Sequence, residues 1–130
     1  MAFQYAAKIA CGLNKDEGMI AQGIYETVVN IHNPYKEAST IKYKVAVAGN
    51  GKDGAISGFT SVQIKPDAAQ FYGCKAFHKI SGVPPTTMID GFFVIESPHS
   101  LDVIAVYTTN DTAGKGVPAI AVERVFERIV

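Results

Sequence analysis

The chain has no tryptophan, only two cysteines, and no excess of charge of either sign, with 12 lysines and arginines set against 12 aspartates and glutamates in 130 residues. Zero net charge creates no global field to draw it onto nucleic acid or an anionic membrane, so neither is an expected partner. No apolar run approaches the ~20 residues of a membrane-spanning helix, which sets membrane insertion aside. The segment Met1-Ala2-Phe3-Gln4-Tyr5 lacks the basic region, apolar run and cleavage site of a secretory leader. The expected compartment is therefore the cytoplasm, or an extracellular one for a chain whose leader has been removed.

Catalytic signatures are missing too. There is no Gly-x-Ser-x-Gly, no His-Glu-x-x-His, no phosphate-binding Gly-x-x-x-x-Gly-Lys and no dinucleotide fingerprint. No catalytic residue and no cofactor is expected. Cys11 and Cys74 lie far apart and form no Cys-x-x-Cys pair. In a reducing cytosol they read as two buried thiols, and in an exported protein as one long-range disulfide. A zinc site would need two further ligands, and the scattered His, Asp and Glu residues offer none at the usual close spacing.

What the sequence does contain is strands. Met88 to Ile95 and Leu101 to Tyr107 are almost unbroken apolar runs of strand length, separated by Glu-Ser-Pro-His-Ser. A strand with one wet face alternates, whereas Phe92, Phe93, Val94 and Ile95, and then Val103, Ile104, Ala105 and Val106, are apolar on both faces. A hairpin of this kind needs cover on both sides. Ile41, Tyr43, Val45 and Val47 against Lys42 and Lys44 give the clearest half-buried strand. Further strands are expected over Phe3 to Cys11, Ile24 to Ile31, Phe59 to Ile64, Ala69 to Cys74 and Val117 to Val122. Cys74 to Ile80 fits one or two helical turns, stopped by Pro84-Pro85.

These segments predict a single all-β domain over residues 1–130, an antiparallel β-sandwich of about eight short strands with at most one or two short helical segments; a small barrel is the alternative. The tail reads either way. Val122, Val125, Phe126 and Ile129 match a helical stripe opposite Glu123, Arg124, Glu127 and Arg128, and helix or strand would leave an apolar stripe that must be buried.

Each polar cluster has a structural reading that outweighs the chemical one. Asn30-Ile31-His32-Asn33-Pro34 could make His32 a base flanked by asparagines, but Asn-Pro starts turns and no carboxylate or nucleophile lies nearby in sequence. Glu96 and Asp102 flank the expected hairpin connection, where Asp102 or Ser97 would satisfy free backbone amides. Asn50 to Gly54 and Asn110-Asp111-Thr112 lack the acidic spacing of a calcium loop. His78 and His99 stand alone.

Three sets of segments together resemble a family of small, uncharacterised bacterial proteins: Tyr5 to Gly12; Gly23 to Thr27 with Asn30 to Pro34; and Gly91 to Ser97 with Leu101 to Thr108. The resemblance spans most of the chain and implies its domain limits but no reaction. Cysteines fall at the positions of Cys11 and Cys74 in that pattern, which strengthens the disulfide reading. Val94-Ile95-Glu96-Ser97 and the strand after it are similar to a hairpin of the sensory-rhodopsin transducer family, implying a β-sandwich homo-oligomer that acts by binding.

The leading expectation is a non-enzymatic structural or interaction protein that self-assembles, as a homo-oligomer or filament, through Phe92, Val94, Ile104, Val106, Val125, Phe126 and Ile129. The alternative is a module for a small ligand or signalling partner, with Tyr25, Tyr43, Phe59 or Tyr107 lining a cleft. Enzyme ranks third.

Overall fold

In the computed structural model, which describes residues 2–15, 18–111 and 119–130, ten antiparallel strands and one helix build a two-layer sandwich. The strands are β1 (Phe3–Asn14), β2 (Gly23–His32), β3 (Ser39–Ala48), β4 (Asp53–Ile56), β5 (Thr60–Ile64), β6 (Ala69–Tyr72), β7 (Ile89–Ser97), β8 (Asp102–Asn110), β9 (Ala119–Arg124) and β10 (Glu127–Ile129). Helix α1 (Cys74–Ser81) follows β6. The all-β expectation holds, with two strands more than the sequence suggested. β4 and β10 are only 4 and 3 residues long, too short for alternation to show.

One layer runs β10-β1-β7-β3, with β5 and β4 sharing the far side of β3. The other runs β9-β8-β2, with β6 and the end of β1 sharing the far side of β2. β1 belongs to both. Its residues Phe3 to Cys11 pair with β7, and Gly12, Leu13 and Asn14 then pair with β2. The strand turns at Gly12, whose φ of 121° suits a residue without a side chain, and a Cβ there would stand 3.1 Å from the Met88 backbone.

The presumed β7–β8 hairpin is instead an arch. β7 pairs with β1 and β3, β8 pairs with β2 and β9, and Pro98 to Leu101 carries the chain from one layer to the other. Ile89, Phe93 and Ile95 of β7 and Val103 and Ala105 of β8 therefore face each other across the core. They meet Tyr5, Ile9, Ile31, Ile41 and Val45, all buried. Gly91 lies where a Cβ would be 2.3 Å from the Ala46 carbonyl, so the close approach of β7 to β3 needs glycine.

α1 packs against β2 and β3 and drives Phe77 wholly into the core, its ring 4.9 Å from that of Phe93. It ends at Gly82, in the left-handed conformation, whose N–H donates to the His78 carbonyl. On the opposite side the tail is strand, not helix: it leaves the β8 edge as β9, crosses layers at Val125 and Phe126, and ends as β10 on β1. Ala2 and Val130 exchange two backbone hydrogen bonds, at 3.3 and 3.0 Å. Among the described residues, no helix is long and apolar enough to cross a membrane.

Candidate interaction surface

The residues expected to form one interface are divided between two faces. Phe92 and Val94 point out of the β1/β7/β3 layer, while Ile104 and Val106 point out of the β2/β8/β9 layer. Val94, 8% exposed, is covered by its own chain between Ala6 and Lys44. The Lys8 ammonium lies 5.5 Å from the Phe92 ring centre and pairs with Asp90. The Lys8 stem thus covers part of this face, while Phe92 itself stays 43% exposed.

The other face has no such cover. Strand register sets Val28, Val106 and Val122 in one row, Thr108 beside Ile120 in a second, and Phe71, Asn30 and Ile104 in a third. Phe71, Ile120 and Val122 are 72%, 69% and 65% exposed. β9 is also the edge of its layer: it pairs with β8, and no described strand lies on its far side. Val125 N–H donates to the Val103 carbonyl at 2.9 Å. Continuing that alternation, Ala119, Ala121 and Glu123 turn their amides toward β8, and Ile120, Val122 and Arg124 turn theirs to the open edge. An edge with bare amides beside an apolar face is a template for another strand.

The tail stripe divides likewise. Val125 is partly buried against the core, whereas Phe126 and Ile129 are 79% and 64% exposed. Of the stripe expected to be buried against the sandwich or a neighbouring subunit, Val125 is the residue that packs on its own core. Ile129 sits opposite Phe3 at the open end of the layers, and the Arg124 guanidinium lies 5.7 Å from the Phe126 ring.

Two carboxylates that the sequence did not place near His32 flank its ring. Nδ1 is 2.8 Å from Asp102 and Nε2 is 2.9 Å from Asp67, a residue held at a φ of 56° in the β5–β6 turn. Hydrogen bonds to Asp102 and then to Asp67 raise the imidazole pKa above its usual 6.5. Asp102 is therefore an ion-pair partner rather than a hairpin cap. Ser97 does act as expected, accepting the His99 N–H at 3.1 Å. Asn33 anchors its turn, bonding the Glu37 and Ile64 carbonyls and the Tyr35 N–H.

A Ser–His pair does exist, but it is sealed. Ser39 Oγ lies 3.1 Å from Ser97 Oγ and 3.4 Å from His99 Nδ1, and both hydroxyls are buried. His99 leans on Tyr35, and His78 Nδ1 bonds the Val83 carbonyl, so neither stands alone. Among the described residues, no group of three or more His, Cys, Asp and Glu is arranged to hold a metal. The Asn110-Asp111-Thr112 loop lies partly outside the described residues, as do the Asp16-Glu17 turn and the start of the expected Val117 to Val122 strand.

Cys11 and Cys74 form a disulfide, with Cα atoms 5.5 Å apart, that ties β1 to the first residue of α1. The Thr27 N–H donates to Cys74 Sγ at 3.3 Å. Beside the helix lies a cleft of about 590 Å³ that brings together Tyr43 and Phe59, two of the four aromatic residues expected to line a site. The other two lie elsewhere: the Tyr25 hydroxyl bonds the Ala21 carbonyl, and that of Tyr107 the Lys8 carbonyl.

No protein-family model matches the sequence, and no curated protein matches it. The chain is similar in fold to the crystal structure of Thermotoga maritima 1070, with a TM-score of 0.62 over 96% of this chain and 91% of that one, at 13% identity. That likeness extends to the fold alone.

Proposed function

We propose that the protein is a non-enzymatic interaction module that works by self-association, and that copies meet at β9 and the apolar face beside it. The observation that carries this reading is the bare edge of β9 with Ile120 and Val122 standing exposed on the same face as Ile104 and Val106. Two β9 strands related by a two-fold axis through Ala121 would set Ile120 of each beside Val122 of the other. The open-edge amides of those same residues would then pair. In that register Glu123 faces Ala119, whereas an axis through Glu123 would oppose like charges. Fully burying such side chains stabilises by roughly 1.5–3 kcal/mol each, enough for several together to offset the cost of association.

A non-catalytic role is supported by the burial of Ser39 and Ser97, which keeps the Ser39 hydroxyl beside the His99 ring away from any substrate. The Cys11–Cys74 disulfide favours an oxidising compartment over the cytoplasm for the working protein, since such bonds are rare where thiols are kept reduced.

Light scattering at micromolar concentration tests the assembly. The expected mass is a multiple of the monomer, and Val122→Asp should return it to one chain with the melting temperature of the fold retained. Phe92→Ser, on the face of the other layer, should leave the mass unchanged. A monomeric wild type, or dissociation by Phe92→Ser and not by Val122→Asp, would overturn the reading.

A further inference from the structure

The cleft beside α1 is lined by Tyr43, Phe59, Thr60, Tyr72, Lys79 and Ile80 among others, and its volume of about 590 Å³ falls within the ~300–1,000 Å³ common for small-molecule sites. Its aromatic wall is braced from behind. The Tyr43 and Tyr72 rings stand 4.9 Å apart, each is 5.3 Å from Phe93, and Phe93 is backed by Phe77. A wall held this way loses little side-chain freedom when a flat ligand packs on it.

The lining itself carries positive charge only. Lys79 is the charged residue of the lining, and the Lys42 and Lys44 ammonium groups lie 4.7 and 4.6 Å from the Phe59 ring centre. Lys42 pairs with Glu96 at 3.6 Å, but among the described residues no ion pair neutralises Lys44 or Lys79. Two hydroxyls of the wall are already engaged. Ser57 Oγ is occupied by the Val45 N–H and the Gly58 carbonyl, and the Tyr72 hydroxyl donates to Gln70. Burial, with Tyr43 adjacent, pushes the Tyr72 phenol up to about 12, so this wall remains neutral and does not repel an anion.

From this juxtaposition of a braced aromatic wall with the unneutralised Lys79 ammonium we infer that the cleft binds a small aromatic carboxylate. Its ring lies against Tyr43, Tyr72 and Phe59, and its carboxylate meets Lys79. The inference is independent of the β9 edge, because no residue that lines the cleft belongs to β8 or β9.

Titration with 2-naphthoate, its neutral amide and the saturated decalin carboxylate tests each part. Wild-type protein should bind 2-naphthoate saturably and about five-fold or more tighter than either analogue, a preference of the size that one partly exposed ion pair or ring contact supplies. Lys79→Met should abolish the preference for acid over amide while leaving the melting temperature unchanged, since Lys79 is exposed. Phe59→Leu should weaken acid and amide alike. Equal affinity for the three probes, no saturable binding, or affinity indifferent to both substitutions would overturn the inference.

Discussion

His32 and Asp102 face each other across the β2–β8 ladder with Nδ1 2.8 Å from the carboxylate, and Asp67 holds the opposite ring nitrogen from another strand connection. One imidazole thus joins three segments distant in sequence, and its charge state decides how firmly. The folded-state pKa is raised, so the contribution is complete below the unfolded value of about 6.5 and is lost as pH rises through the higher folded value.

Thermal melts across this range should show the melting temperature falling on the alkaline side of about pH 6.5. In His32→Gln that part of the slope should vanish, with the oligomeric mass unchanged. An unaltered pH profile in the variant would show that the two contacts do not form in solution.

Joining Cys11 to Cys74 spans a sequence separation of 63 residues, for which chain entropy alone gives about 4 kcal/mol of stabilisation. The double variant Cys11→Ala, Cys74→Ala should lose stability of that order in urea unfolding. A loss under ~1 kcal/mol would mean the bridge constrains little that the fold does not already fix.

Gly91→Ala forces a methyl group against the Ala46 carbonyl in the middle of β7, where neither strand has room to retreat. The expected loss is about 1–3 kcal/mol, the range for overpacked interiors, read as a lower urea midpoint at unchanged slope. Wild-type stability in this variant would place β7 and β3 further apart than described.

Much of the fold is legible in the residues. The alternation of Ile41 to Val47, the turn signals and the helical spacing from Cys74 mark their elements within a residue or two, because each is a local pattern. The arch was not legible. An apolar strand followed by a polar connection and a second apolar strand looks the same whether the two pair or cross between layers, and only long-range partners decide. The two-sided apolar character of β7 had a similar ambiguity, since its outer-face neighbours Ala6, Lys8 and Lys44 come from strands distant in sequence. His32 appeared unpartnered for the same reason: Asp67 and Asp102 lie 35 and 70 residues away. In the tail the charges at 123, 124, 127 and 128 fit a helix, but pairing to β8 and β1 prevails over a propensity that is weak in short segments.

The paired backbones of Ala2 and Val130 make the described chain close to a ring, lacking one short covalent link. A connection of a few glycines between them would leave every strand partner in place. New ends could then open at the exposed Gly51-Lys52 turn, where the chain already reverses between β3 and β4. The order in which the strands are synthesised would change, while the sandwich to which they belong would not.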